Sequence, residues 1–409
     1  DNIAYKSAGG SLFYDLDIES KSRVFDFNQD GIIDIGAYEI NVDLSEEIIG
    51  TIRYVKEGAT GNGTSWTNAS GDLQAMINVS SKKDQIWVAT GSYYPNRRIQ
   101  DLKIIAEKNR DNSFVLKPGV SLYGGFIGNE LFVNQRDFSA NPTILSGDFN
   151  NNDVVTLSES GRLNFSNNNE NAYHVLVAGG ISDISLNGFI IIGGNANGSG
   201  DIKVGGVEIY RNSGGLFAGK NLNRTTITNC VFKHGSAIHM GGGIDIQSSN
   251  KTIIKQCDVK LNNANHGGGL SFRNYLLSNV YQIDKCSIIS NNANKDGGGV
   301  IGRGGNTQIT NSIISGNTAI DNHGGGVYVY REKNNSKAYL TMSGCIVSGN
   351  KAAAEGGGLR VATYLNGNES NEGDSKRVEL FASIYNCTFS GNKAGNGGGI
   401  YRHEARSQL

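Results

Sequence analysis

The chain has 409 residues, of which 38% are hydrophobic and 18% are charged, and its formal net charge is −1. This near-neutral charge argues against nucleic acid or an anionic membrane as the main partner, and because no run of 18 apolar residues occurs, no membrane-spanning helix is predicted. The combination of 57 glycines with only 3 prolines predicts many short strands joined by tight turns.

The first motif along the chain is an acidic turn at 26–34, with the sequence DFNQDGIID. Its oxygen-bearing side chains match positions 1, 3, 5 and 9 of a calcium-binding loop, and a glycine occupies position 6. Position 12 is Ala37, so the usual bidentate glutamate is missing. We predict that this loop binds Ca²⁺, the alternative being an Asp/Gly turn without metal; the predicted ligands are Asp26, Asn28, Asp30 and Asp34.

Residues 51–110 are predicted to form an N-terminal cap and the first strands. Leu73, Met76 and Ile77 have helical spacing, and Ser70 and Asp72 suit the start of a helix. A strand follows in QIWVATGSYY. Because the open end of a solenoid exposes apolar side chains and unpaired backbone, we expect this short amphipathic helix to cover it.

The C-terminal half contains a repeat. Glycine triplets recur every 26 to 41 residues, beginning at Gly241, Gly267, Gly297, Gly324, Gly356 and Gly397. A fixed position, which holds every cysteine of the chain, precedes each triplet by ten to twelve residues: Cys230, Cys257, Cys286, Ser312, Cys345 and Cys387. Aliphatic residues flank this position, and five residues after it comes an asparagine in five of the six copies: Asn262, Asn291, Asn317, Asn350 and Asn392.

Equivalent residues at equivalent places in successive turns of chain indicate a solenoid. We therefore predict an all-β fold, a right-handed parallel β-helix (solenoid) from about residue 85 to 409, with a short N-terminal capping helix. Aliphatic ladders would fill the interior, stacked asparagine amides would hydrogen-bond, and the triplets would form a sharp corner. The cysteines are expected to be free, buried thiols on neighbouring coils.

Nearly all the length variation between repeats falls after the triplet, where solenoids usually carry their binding loops. Strand alternation also predicts a flat, exposed sheet beside these loops. Tyr rings can stack on sugars and Arg can bind carboxylates, although both residue types also suit an ordinary solvated sheet. The predicted ligand-binding residues are Arg273, Arg303, Tyr328, Tyr330, Arg360 and Tyr401.

The residue before each triplet forms another ladder: Met240, His266, Asp296, His323, Glu355 and Asn396. The alternation of His with carboxylates fits either a metal site or relief of like-charge stacking, and we favour the second. The repeats contain no acid pair of the kind a glycosidase uses, and nothing singles out a base. No catalytic residue is therefore predicted.

Several segments resemble the large secreted β-helix proteins of Bacteroidota: TSWTNASGDLQAMI, VATGSYYP, PGVSLYGGFIGNE, NQRDFSANPTILSGD and LNGFIIIGGNAN. CTFSGNKAGNGGGIY near the C-terminus also resembles the polymorphic outer-membrane-protein repeat. The resemblance implies secretion, by the type IX route, and display at the cell surface. It does not imply one activity, since some β-helix relatives are polysaccharide lyases and many are adhesin-like.

By the same resemblance, residues 1–45 are expected to close a preceding module, followed by the cap and first strands at 51–110, irregular coils at 111–225 and regular repeats at 226–409. The chain would then be part of a longer protein. We predict an adhesin-like display module, secreted or on the cell surface, that binds a glycan or a surface protein; other modules of the same chain and the secretion machinery are further expected partners. The alternative is a polysaccharide lyase or glycoside hydrolase of the β-helix type.

Overall fold

The computed structural model describes residues 50–274, 278–331, 338–363 and 380–403. The chain divides into two compact units, 1–49 and 50–409, and every described residue belongs to the second. The predicted calcium loop at Asp26, Asn28, Asp30 and Asp34 lies outside the described residues. In the described part, no helix is both long and apolar enough to cross a bilayer.

Parallel strands build the described part of the chain. Sheet 1 has ten strands, which are Ile52–Val55, Gln85–Ala89, Ser121–Phe126, Ser182–Asn187, Asn223–Thr228, Lys251–Lys255, Val280–Asp284, Gly305–Thr310, Ala338–Ser343 and Leu380–Tyr385. Sheet 2 has nine, which are Gly91–Tyr93, Thr143–Ser146, Phe189–Ile192, Val231–Lys233, Asp258–Lys260, Ser287–Ile289, Ile313–Ser315, Ile346–Ser348 and Thr388–Ser390.

Two further parallel sheets complete each turn of chain. The short sheet 3 has six strands, which are Asn195–Ala196, Ser236–Ala237, Asn263–His266, Asn292–Asp296, Thr318–Ala319 and Lys351–Ala352. Sheet 4 has nine, which are Phe114–Val115, Leu176–Gly179, Phe217–Lys220, Ile244–Gln247, Leu270–Arg273, Val300–Arg303, Val327–Arg331, Leu359–Thr363 and Ile400–His403. The predicted parallel β-helix is confirmed.

Each repeat coil visits sheets 1, 2, 3 and 4 in that order. In register, Ile254 pairs with Ile283 and Leu270 with Val300, so the interior consists of stacked aliphatic side chains that are almost fully buried. The connections between sheets 4 and 1 fall where the sequence predicted the length variation, and 275–277, 332–337 and 364–379 within them lie outside the described residues.

The predicted asparagine ladder is confirmed. Asn317 is fully buried; its Nδ2 donates to the Ile288 carbonyl at 2.8 Å and to Asn350 Oδ1 at 3.0 Å. Its Oδ1 accepts from the backbone N–H of Asn291 at 2.9 Å and from Asn291 Nδ2 at 3.0 Å. One amide therefore bonds to polar groups on both neighbouring coils and so fixes the register of the stack. Each of these hydrogen bonds contributes about 1 kcal/mol to the stability of the folded chain.

Two features of the backbone require glycine in the triplet. Its first residue has positive φ, 62° at Gly267, which only glycine adopts freely. Its second residue abuts the next coil, because a Cβ on Gly268 would lie 2.0 Å from the Asn292 carbonyl oxygen. The triplet is therefore a structural corner.

The cysteine ladder also matches expectation. Cys230, Cys257, Cys286, Cys345 and Cys387 are all free thiols. Strands either side of Cys257 and Cys286 are paired in register, so these two lie on neighbouring coils.

The predicted helix spans Leu73–Val79, with Asp72 as its N-cap accepting a hydrogen bond from the Ala75 N–H at 2.9 Å. Leu73, Met76 and Ile77 pack into the solenoid core, beside the first strands of sheet 1.

Two antiparallel hairpins interrupt the solenoid in its earlier coils. Val154–Leu157 pairs with Leu163–Ser166, and Asp201–Val204 pairs with Val207–Tyr210. We call them hairpin 154–166 and hairpin 201–210. A 3₁₀ turn lies at Val133–Gln135.

Candidate functional site: a groove and an acidic cluster

The outward side of sheet 4, where the sequence placed a binding face, is not the exposed surface that was predicted. Arg273 and Arg360 are each 8% exposed and Tyr328 is 4% exposed. Each arginine has partners on this face. Arg273 pairs with buried Asp245 of the adjacent coil at 2.7 Å. Arg360 pairs with Glu355 of its own coil at 2.9 Å and donates to the Tyr328 hydroxyl of the adjacent coil.

The remaining members of that predicted set are partly exposed. Tyr330 stacks on Tyr328, with ring centroids 4.9 Å apart. Arg303 follows Arg273 in register, and Tyr401 follows Arg360. The six residues do share one sheet, but pairing between them explains why the face is largely closed, and their role in binding stays a prediction.

In the ladder before the triplets, each of two histidines lies next to a carboxylate of the following coil. His266 Nδ1 lies 3.1 Å from Asp296 Oδ2, and His323 Nδ1 lies 3.5 Å from Glu355 Oε2. Because His alternates with the carboxylates, no two carboxylates are neighbours in the column, which fits relief of like-charge stacking.

The structure instead forms a groove on the outside of sheet 3. It has a volume of about 340 Å³ and lies between that sheet and hairpin 154–166. The lining residues are mostly polar and seven of the twelve are asparagines: Arg162, Leu163, Asn164, Phe165, Asn168, Asn169, Asn195, Asn197, Ser236, Ile238, Asn263 and Asn294.

The hairpin is held against sheet 3 by polar contacts along its length. Asn292 Nδ2 donates to the Gly161 carbonyl at 2.9 Å near the hairpin turn. At the other end, Asn195 Nδ2 donates to the Asn168 carbonyl at 2.7 Å. Leu163 is 5% exposed, so the hairpin is a packed wall of the groove.

Some of the groove's polar groups remain available to a ligand. Among the described residues, the side-chain amides of Asn164, Asn169 and Asn263 have no hydrogen-bond partner, and Arg162 forms no ion pair. Phe165 is partly exposed and Ile238 is 52% exposed. The groove therefore offers amide donors and acceptors, one cation and an apolar ring.

An acidic cluster lies at the base of the same hairpin. Asp148, Asp153 and Glu170 each offer one carboxylate oxygen, and these three atoms lie within 4.8 Å of one another. Asp148 is buried, the other two are half-buried, and the three together could hold a metal ion. Burial, with the nearby charges of Asp148 and Glu170, raises the pKa of Asp153 to about 7, against the opposing effect of a hydrogen bond from Asn171.

Two basic residues approach this cluster from the preceding coil. Lys108 Nζ donates to Asn150 Oδ1 at 2.8 Å, on the loop that joins Asp148 to Asp153. Arg110 donates to the Asn171 carbonyl at 2.6 Å and to Asn197 Oδ1 at 2.7 Å, and so bridges the cluster and the groove.

Sequence reasoning missed both features because it followed the repeat, and hairpin 154–166 lies outside it. A signal was present: two asparagine-rich runs with acidic residues, NNND at 150–153 and NNNEN at 167–171, flank a short β-rich segment. Such runs suit turns and oxygen-rich sites.

Comparisons with known proteins give little beyond the fold. No protein-family model matches the chain, and no curated protein matches it in sequence. Among solved structures, the chain is similar to the crystal structure of pectate lyase Pel9A, with 12% sequence identity and a TM-score of 0.40, over 82% of this chain and 78% of that chain. At this level neither the identity nor the TM-score carries a conclusion about activity.

Proposed function

We propose that this chain is a β-helix display module that binds a glycan in the groove between sheet 3 and hairpin 154–166. The observation that carries the proposal is that one groove contains the side-chain amides of Asn164, Asn169 and Asn263, which have no hydrogen-bond partner in the part of the chain that the structure describes. An amide both donates and accepts hydrogen bonds, and so matches the hydroxyl groups of a sugar.

The other groups in the groove fit the same ligand class. Phe165 can pack against the apolar face of a sugar ring, and Arg162 can pair with a carboxylate, which favours glycans that carry acidic sugars. The volume of about 340 Å³ falls in the range of about 300–1,000 Å³ that is usual for small-molecule sites. Secretion and display at the cell surface, which the sequence resemblance implies, belong to this proposal.

The test is a glycan array probed with the wild-type chain and three variants, Arg162→Ala, Asn164→Ala and Phe165→Ala. We expect binding to one glycan class and a loss of about tenfold or more in each variant. Matched controls are Asn129→Ala and Phe132→Ala, which change exposed residues outside the groove. Equal binding by groove and control variants, or no glycan bound by the wild type, contradicts the proposal.

The enzyme alternative has one observation in its favour. Lys108 lies beside the loop that carries Asp148 and Asp153, and a polysaccharide lyase needs a base next to a bound cation. A neutral Lys108 amine would take the proton from the carbon next to a sugar carboxylate. A C=C bond would form as the glycosidic C–O bond on the adjacent carbon breaks, the departing sugar oxygen would take up a proton, and the triad would hold the cation that such an elimination requires.

A depolymerisation screen separates the two functions. A lyase would release unsaturated sugar ends that absorb in the ultraviolet, and Lys108→Ala would abolish their release. Binding without any new unsaturated or reducing ends supports the display module.

A further inference from the structure

The acidic cluster lies at the base of a long excursion, a segment of the chain that leaves the solenoid and returns to it. Residues 148–171 leave sheet 2 after Gly147 and return at Ala172, whose N–H donates to the Gly147 carbonyl at 2.9 Å. Asp148 and Asp153 lie on the outgoing stem of this excursion, and Glu170 lies on the returning stem. The three carboxylates therefore meet where the two stems come together.

No positive charge of the described residues neutralises this cluster through an ion pair. Asp148 is instead satisfied by backbone donors: its Oδ1 accepts from the N–H groups of Asn150 and Asn152, each at 3.2 Å, and its Oδ2 accepts from that of Asp153 at 3.0 Å. Three carboxylates at this spacing repel one another, a repulsion that a proton on one of them or a cation among them relieves.

Among the described residues, two buried oxygen atoms at the cluster have no hydrogen-bond partner. One is Asp153 Oδ1. The other is Oδ1 of Asn171, a residue that is only 1% exposed and whose Nδ2 donates to Asp153 Oδ2 at 2.7 Å. A buried oxygen without a partner is unfavourable, so a bound cation would stabilise this arrangement.

The Asn152 amide joins the two stems. Its side-chain nitrogen donates to Glu170 Oε1 at 2.6 Å and to the Asn167 carbonyl oxygen at 3.1 Å.

We propose that Asp148, Asp153 and Glu170 bind one Ca²⁺ ion. All three donors are carboxylate oxygens, which suit a hard cation and not zinc or copper. Carboxylates drawn from the two stems of one excursion suit the adaptable coordination shell of Ca²⁺ better than the strict octahedron of Mg²⁺.

The ion would pin the two stems together. Hairpin 154–166 begins directly after Asp153 and ends one residue before Asn167, so its position over sheet 3 depends on how the stems meet. This site is separate from the predicted calcium loop at 26–34 and does not depend on glycan binding.

The experiment measures calcium binding by calorimetry, with the full chain carrying Asp30→Ala to remove the loop at 26–34 as a source of signal. We expect one ion per chain with a dissociation constant below about 1 mM, as for extracellular calcium modules. Asp153→Asn and Glu170→Gln should each weaken binding at least about tenfold, whereas Glu159→Gln, an exposed acid at the turn of the same hairpin, should leave it unchanged.

Limited proteolysis provides a readout that does not depend on these variants folding. With calcium, hairpin 154–166 of the wild-type chain should resist cleavage, and a chelator should expose it while the repeat coils stay intact. Absence of binding in the Asp30→Ala chain, equal binding by Glu170→Gln and Glu159→Gln, or hairpin cleavage that calcium does not change would each overturn the proposal.

Discussion

The regular repeats and the earlier coils use the same scaffold in opposite ways. In the repeats, the polar side chains that recur at fixed positions bond to the next coil: Asn317 to Asn350, His266 to Asp296, Arg273 to Asp245. In the earlier coils, excursions leave the stack, and they carry the exposed amides of Asn164 and Asn169 and an acidic cluster that forms no ion pair among the described residues. The periodic polar residues therefore stabilise the fold, whereas the candidate functional site lies where the repeat is interrupted.

The largest difference should appear when a methyl group is added to a glycine. Gly268→Ala places a Cβ 2.0 Å from the Asn292 carbonyl oxygen of the next coil, and we expect a loss of about 4 kcal/mol or more, or failure to fold. In Gly206→Ala, at the turn of hairpin 201–210, the new Cβ has no atom within 4 Å, so only the positive φ of 81° is unfavourable. We expect this variant to lose about 1 kcal/mol of stability. Urea unfolding measures both, and similar losses would break the comparison.

A second test removes one amide from each region. Asn317→Ala deletes four buried hydrogen bonds to two neighbouring coils, and we expect a loss of about 3 kcal/mol, because partners are left unsatisfied inside the protein. Asn164→Ala on hairpin 154–166 should change stability by less than about 0.5 kcal/mol. Thermal unfolding of the two variants checks this, and an Asn317→Ala protein as stable as the wild type would show that the ladder adds little.

The smallest of the three effects concerns pH and belongs to the earlier coils. His174 is fully buried, its Nδ1 donates to the Gly214 carbonyl at 2.9 Å, and its Nε2 has no partner. Burial lowers the pKa of His174 to about 4 from an ordinary 6.5. As the pH falls, the unfolded chain therefore takes up this proton at a higher pH than the folded chain does. The contribution of His174 to the free energy of unfolding is fully present above pH 6.5 and decreases by roughly 2–3 kcal/mol as the pH falls towards 4.

Replacing His174 tests whether this residue causes the loss of stability at low pH. His174→Asn keeps a donor for the Gly214 carbonyl but does not titrate. Its unfolding free energy should change less between pH 7 and pH 4.5 than that of the wild type. Identical pH profiles would place the acid sensitivity elsewhere in the chain.

The sequence predicted the fold well and the candidate site poorly, for one physical reason. Stacking imposes the same environment on every coil, so the requirement for Gly268, Asn317 or Cys257 is repeated and can be read from spacing alone. Hairpin 154–166 occurs once, and its contact with sheet 3 joins Gly161 to Asn292, 131 positions apart. Spacing cannot reveal such a contact.

The error at sheet 4 has a related cause. Alternation correctly placed Arg273, Tyr328 and Arg360 on the outward side, but it gives no information about neighbours on the adjacent coils. Coils stack about 4.8 Å apart, so a long side chain lies against the coil beside it. Asp245 lies within reach of Arg273 on the adjacent coil, and the Tyr328 hydroxyl lies within reach of Arg360 in the same way, so these side chains bury one another.

The column of cysteines allows the unfolding of the solenoid to be followed by alkylation of its own thiols. Four of the five thiols are buried and Cys387 is partly exposed. In the intact stack the four buried thiols react slowly with alkylating reagents because burial restricts the access of the reagent, and burial also raises the pKa of Cys345 to about 11. Each cysteine reports on a different coil. The order in which the five thiols become alkylated during gradual denaturation would therefore give the order in which the coils separate, without introducing a label anywhere in the chain.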